Sequence, residues 1–208
     1  MLKPSQRDNP FLSRHLNLWS RLALLVGAAA LVLAAFLPLW QIHLVAPQYM
    51  EGLELNIYSY KLSGGNGGQD IFEINNLNHY IGMRTIHEAD FVEMKWVPFA
   101  LGFFVLMALR AVVHGRMGQC LDLFVLFLYF GLFSMGSFYY RLYTYGHNLD
   151  PTAPVRIEGF TPSILGTNQI ANFEQASWPD IGGVIMILFP FAILLAMWLS
   201  RKERPACY

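Results

Sequence analysis

The sequence predicts an all-α membrane protein: four transmembrane helices, with two long outer, periplasmic loops forming a small cap. Three observations predict it. The chain is 55% hydrophobic and only 13% charged, too apolar and charge-poor for a soluble domain of 208 residues. Four apolar runs, opening at Leu22, Trp96, Leu121 and Ile181, each approach the length that crosses a hydrocarbon core of roughly 30 Å. Basic residues gather in the short segments beside those runs, and acids in the long ones.

Residues 1–21 carry Lys3, Arg7, Arg14 and Arg21 with Pro4 and Pro10, and read as an irregular cytoplasmic leader with a short interfacial turn near Phe11 to Trp19. Residues 22–44 contain no Asp, Glu, Lys or Arg and form the first transmembrane helix. A cleaved signal peptide is the competing reading; the run exceeds the roughly 7–15 residues of a signal core. Ala23 with Gly27, and Ala30 with Ala34, offer a face for close helix packing, and Trp40 marks the far interface.

Residues 45–95 make a periplasmic loop too long to be a mere connection. Leu53, Leu55 and Ile57 alternate with Glu54 and Asn56, the period of a half-buried strand. The glycines of Gly64 to Gly68 form a turn, and lack the lysine of a phosphate loop. From Asp70 to Arg84, Ile71, Ile74, Leu77 or Asn78, and Ile81 share one helical stripe. That stripe is expected to lie on the membrane or on the top of the helix bundle.

Residues 96–113 form the second span, with Arg110 near its end, and 114–120 a cytoplasmic turn. Residues 121–140 form the third span, with Asp122 at its edge and Phe124, Phe127, Phe130 and Phe133 every third residue. Packing, lipid contact and a quinone or pigment surface compete for that aromatic stripe; Tyr139, Tyr140, Tyr143 and Tyr145 read as an interfacial belt. Residues 141–180 are the second periplasmic loop, with one helical turn expected within Ser163 to Asn172. Residues 181–200 are the fourth span, opened by Gly182 and Gly183 and kinked at Pro190; 201–208 are a cytoplasmic tail.

Lys and Arg number four in the leader, two around the hairpin and three in the tail, against five in the much longer outer segments. This bias predicts a multi-pass protein of the bacterial inner membrane with both termini cytoplasmic. Zero net charge gives no field for nucleic acid, so the expected partners are the lipid bilayer and other proteins. Cys120 and Cys207 stand in no CxxC, so neither a disulfide framework nor a zinc site is expected. No hydrolytic triad order, haem-attachment motif or dinucleotide glycine pattern is present, and the chain reads as non-enzymatic.

The segment Gln69 to Trp96 concentrates the chemically versatile side chains. On a helix continued through Glu88, His79 and Met83 stand one turn apart and His87 two turns on, about 80° around the axis. Imidazole with thioether suits Cu(I), so His79, Met83 and His87 are metal-ligand candidates, with Met50, Met94, His43 and His147 available to complete a site. The competing reading gives the histidine a loop carbonyl and the methionine a hydrophobic gap. Asn75, Asn76 and Asn78, echoed by Asn168 and Asn172, suit capping, a partner's backbone, or a link between the two loops.

At INNLNHYIGM, Ile74 to Met83, and FTPSILGTNQIANF, Phe160 to Phe173, the sequence resembles small polytopic bacterial membrane proteins associated with nitrous oxide reductase and related periplasmic copper enzymes. The likeness runs from Trp40 to the fourth span. It implies an accessory role in an envelope redox system, docking or maturing a periplasmic cuproenzyme, with copper as the cofactor in play and membrane or periplasmic redox proteins as partners. It transfers no catalytic residue. The alternative is a small structural subunit of a membrane-embedded respiratory or electron-transfer complex.

Overall fold

The structure, a computed structural model, describes residues 11–170 and 172–203. The predicted features at Lys3, Pro4, Arg7, Pro10, Arg204 and Cys207 lie outside them. Among the described residues run five α-helices, α1 (Leu18–Ala34), α2 (Gln69–Ile81), α3 (Glu93–His114), α4 (Met117–His147) and α5 (Ile181–Leu199). Five strands accompany them: β1 (Trp40–Ala46), β2 (Tyr49–Ile57), β3 (Leu62–Gly64), β4 (Gly166–Ile170) and β5 (Phe173–Pro179). The fold is mixed α/β, which corrects the all-α expectation. The count of four spans is corrected too: among the described residues α3, α4 and α5 are the three helices long and apolar enough to cross a membrane, while α1 has 17 residues. These three candidate spans point to a membrane protein.

The physical reason lies in the first apolar run. α1 stops at Ala34, and the chain turns there through Phe36 N to Leu33 O at 3.0 Å and Leu37 N to Ala34 O at 3.3 Å. Pro38 has no N–H to continue a helix, and Leu39 N already donates to Ile57 O at 2.8 Å as the sheet begins. A charge-free run does not distinguish a buried helix from a buried strand, and Leu22 to Leu44 contains one of each.

The chain divides into two compact units. The first comprises Met1–Val32, Ala100–Phe130 and Ile185–Tyr208. Here α1 buries Ser20, Leu24, Ala28 and Leu31, spaced to share one face, and antiparallel α5 buries Phe189, Ile193 and Ala196. A Cβ on Gly27 would stand 3.3 Å from the Phe189 ring, so the small residue sets the approach of the two helices. Asn17 caps α1 by accepting from Ser20 N at 2.8 Å, and Ser20 Oγ bonds Ala196 O at 2.6 Å and Ser200 Oγ at 2.7 Å. Of the phenylalanines at every third position, Phe127 turns inward, 5.0 Å from Phe104 and 4.9 Å from Phe189 between ring centroids. The segment before α1 lies on the α3–α4 turn, with Leu16 N on Gly115 O at 2.7 Å and Met117 N on Arg14 O at 3.0 Å.

The second unit comprises Leu33–Phe99 and Gly131–Val184, and holds the sheet, in the order β3-β2-β1-β5-β4. β1 to β3 form an antiparallel meander, β4 and β5 a hairpin, and β5 pairs antiparallel with β1 from Trp40↔Pro179 to Val45↔Glu174. The two long loops are thus one sheet, joined by backbone hydrogen bonds. Segment 166–170, where one helical turn is expected, is β4.

α2 lies against one sheet face. Ile74, Leu77 and Ile81 are buried among Ile42, Leu53, Leu55, Leu62 and Phe173, so its apolar stripe meets the sheet rather than a membrane surface. Burying each such side chain contributes roughly 1.5–3 kcal/mol. Asp70 ties helix to sheet: it is buried, accepts Glu54 N at 2.8 Å and accepts Asn66 Nδ2 at 2.9 Å. A Cβ at Gly65 would stand 2.5 Å from Asp70 Oδ2, so the glycine turn is what lets the carboxylate reach β2. α4, at 31 residues, is about 46 Å long, more than a hydrocarbon core requires. Its extension beyond the apolar run, Arg141 to His147, belongs to this second unit.

Candidate functional site

Inside the second unit is an apolar cavity of ≈ 90 Å³, partly open to solvent. The sheet contributes Ile42 and Leu55, α2 contributes Ile74, α4 contributes Phe138 and Leu142, and the second loop Phe160. Four polar residues share this lining: Asn78, Arg141, Tyr145 and Gln175.

Each arrives there by its element's geometry. β5 alternates so that Phe173, Gln175 and Ser177 are buried and Glu174 and Trp178 are exposed. Ser177 is satisfied, accepting Trp40 Nε1 at 2.8 Å. Gln175, 3% exposed, has a buried Oε1 without a hydrogen-bond partner among the described residues. Tyr145, on the α4 extension, is 7% exposed, its ring stacked 6.2 Å from Phe91, and its Oη is likewise unpartnered. An unmade hydrogen bond in such a place costs about 1–3 kcal/mol, so each atom calls for a partner. Asn78 is engaged, its Nδ2 donating to Arg84 O at 3.4 Å. Arg141 pairs with Glu93 through Nε and Nη2 at 3.3 Å each, and Ser137 Oγ donates to the same carboxylate at 2.5 Å.

The metal-ligand candidates are placed differently from one another. α2 ends at Ile81 because Gly82 takes φ 80°, a left-handed C-cap, so Met83 and His87 do not continue its helical spacing. His79 is exposed on the last turn. Met83 is half-buried and lines the apolar cavity. His87 is exposed, its Nε2 2.9 Å from Thr85 Oγ1. Among the additional donors, Met94 packs on the sheet core, Met50 is exposed, His43 lies over Gly52, and His147 stacks on Tyr143 at 3.9 Å. Among the described residues no group of three or more His, Cys, Asp or Glu is arranged to hold a metal ion.

Asn75 acts locally: it accepts Ile86 N at 2.7 Å and donates to Ile86 O at 3.2 Å, fixing the segment after α2. Tyr49 and Asp150, neither of them in the cavity lining, have displaced pKa values. Tyr49, bonded through its Oη to Glu73, is raised above the ordinary 10.0 because the carboxylate accepts its proton and repels the phenolate. Asp150 is lowered because Thr152 donates to it from Oγ1 at 2.6 Å and from N at 2.8 Å. α2 also carries a free outer stripe, Phe72, Asn76, His79 and Tyr80, with the two rings 65% and 56% exposed.

Sequence reasoning gave Tyr145 to an interfacial belt and passed over Gln175. Arg141 was the available sign for the first, since it ends the apolar run four residues earlier. For Gln175 there was none, because its burial depends on pairing with a strand some 130 residues away. No protein-family model, curated protein or solved structure matches the chain.

Proposed function

We propose that the chain is a non-enzymatic membrane accessory protein of an envelope redox system, whose α/β cap docks a partner protein. The observation that carries this reading is the outer stripe of α2. Phe72 and Tyr80, two turns apart, stay uncovered on a helix whose opposite face is fully packed, with Asn76 and His79 between them. Aromatic side chains flanked by polar groups are what the centres of protein interfaces use. The resemblance at Ile74 to Met83 overlaps this stripe at Asn76, His79 and Tyr80 and suggests the partner class, a periplasmic copper enzyme. Docking requires no metal ligand from this chain.

The finer location follows from charge. Arg14 Nη1 donates to Arg201 O, Asn17 Nδ2 donates to Leu199 O at 3.0 Å, and Arg21 lies against Gly115 beside Arg116. The basic residues flanking α1, the α3–α4 turn and α5 therefore share one end of the helical unit. By the positive-inside bias that end is cytoplasmic, in a bacterial inner membrane, and residues near both termini lie there.

The test is recovery of bound proteins from native membranes in mild detergent, for the wild type and Phe72→Ser/Tyr80→Ser. Loss of a co-purifying periplasmic protein from the variant, with the cap still folded, supports docking. Unchanged recovery refutes it. A structural-subunit reading has one observation in its favour: Tyr129, within the apolar run of α4, is 69% exposed, and a hydroxyl there gains from a neighbouring subunit. Fixed one-to-one recovery in a large complex, lost in Tyr129→Leu, would establish that reading instead.

A further inference from the structure

We propose that the cap cavity is a binding site for an amphiphile of the alcohol class, a largely apolar molecule whose hydroxyl bridges Tyr145 and Gln175. Three observations carry it, none of which involves the docking stripe. The lining is nearly all hydrocarbon, from Ile42, Leu55, Ile74, Phe138, Leu142 and Phe160 among others. The cavity, ≈ 90 Å³, is smaller than the roughly 300–1,000 Å³ of whole-ligand clefts and is partly open to solvent, so it takes one end of a molecule. Within that lining stand two polar side chains more than nine-tenths buried, each with an atom lacking a partner among the described residues, Tyr145 Oη and Gln175 Oε1.

The chemistry of those two atoms selects the ligand. A phenol hydroxyl donates and accepts, while an amide oxygen only accepts. One ligand hydroxyl answers both, accepting from Tyr145 and donating to Gln175. A hydroxyl also serves the opposite rotation of the amide, because it can accept from Nε2. A carboxylate is disfavoured, since the one cation in the lining, Arg141, is already bound to Glu93. A plain hydrocarbon would leave both polar atoms unmade. The enclosed ≈ 90 Å³ is below the roughly 150 Å³ that takes a benzene ring. It therefore admits the hydroxyl and a few carbons, and the rest of the molecule lies in the open part.

The test uses a diazirine-bearing dodecanol and the matching diazirine dodecane, photo-crosslinked to the full chain in phosphatidylcholine nanodiscs and mapped by peptide mass spectrometry. The alcohol should label peptides containing Ile74, Leu142 and Phe160 about tenfold more than the alkane, the size of one to two net hydrogen bonds. Tyr145→Phe, which removes one oxygen and keeps the ring, should erase most of that preference, and Gln175→Leu the remainder. Equal labelling by both probes, or a preference that survives Tyr145→Phe, overturns the proposal. So does labelling confined to exposed faces of α3, α4 and α5, which would leave ordered water as the partner of the two atoms. Solvent extraction of protein purified from native membranes separates the sources: a retained hydroxylated lipid means a membrane ligand, and probe binding with nothing retained means a diffusible alcohol. The labelling needs no partner protein, so it fails or succeeds independently of docking.

Discussion

Removing the Asp70 carboxylate should loosen the cap without touching the helical unit. The side chain is 2% exposed, and it accepts one backbone bond from β2 and one side-chain bond from the glycine turn. Hydrogen bonds to a charged group are worth about 1.5–3 kcal/mol each, so Asp70→Ala forfeits two of them and leaves Glu54 N–H unmade. Entry of water into the vacated space offsets part of this, and a net loss of about 3 kcal/mol is expected. At about 1.4 kcal/mol per factor of ten, amides of β2 and α2 should exchange with deuterium about 100-fold faster by mass spectrometry in detergent. Asp70→Asn should fall between, since an amide oxygen can still accept from Glu54 N while its NH2 opposes the NH2 of Asn66. Amides of Ala100–Phe130 should keep their rates. An acceleration in β2 and α2 under about threefold would refute the assignment of Asp70 as the tie between helix and sheet.

Ile74→Ala, at a position 1% exposed beneath the sheet, should cost about 2–5 kcal/mol and lower the thermal midpoint of the cap by tryptophan fluorescence. Gly146→Ala places a Cβ 1.9 Å from Phe160 O, where the backbone has to yield, so a loss of about 1–3 kcal/mol in the same assay is expected. For pH, the folded Tyr49 lies above the ordinary 10.0, so its contribution to stability is complete below that value and declines as pH rises through the raised one. The tyrosinate absorbance difference between wild type and Tyr49→Phe reads that titration, and Glu73→Ala should bring it back toward 10.0. Asp150 has the opposite sign: its contribution is present above the unfolded carboxyl value near 3.8 and is lost as pH falls through the lowered one. Thr152→Ala should return that carboxyl toward the ordinary value in an NMR titration.

The apolar helices were legible because hydropathy over about twenty residues is a local property, and α3 and α5 begin and end within a few residues of the runs that announce them. The strand period at Leu53, Leu55 and Ile57 is local as well, and β2 covers it. The sheet as a whole was not legible. β1 hid within a charge-free run whose only interruption is Pro38, and β5 buries Phe173, Gln175 and Ser177, a series with a single apolar member. Pairing between β1 and β5 satisfies backbone groups, which every residue carries, so composition does not betray it. The candidate site inherits that blindness, since Met83 could be placed only after Gly82 was seen to end α2.

The central position of β1 has a consequence for synthesis. Its partner β5 begins at Phe173, about 130 residues after β1 is complete, which at 5–20 residues per second is a delay of roughly 6–26 s. Until then β1 to β3 and α2 can assemble on the ribosome-bound chain, while the flank of β1 destined for β5 keeps a row of unpaired N–H and C=O groups. A nascent chain stalled before residue 173 should therefore be a substrate for strand-binding chaperones and proteases. Release past Pro179 should end that vulnerability in one step.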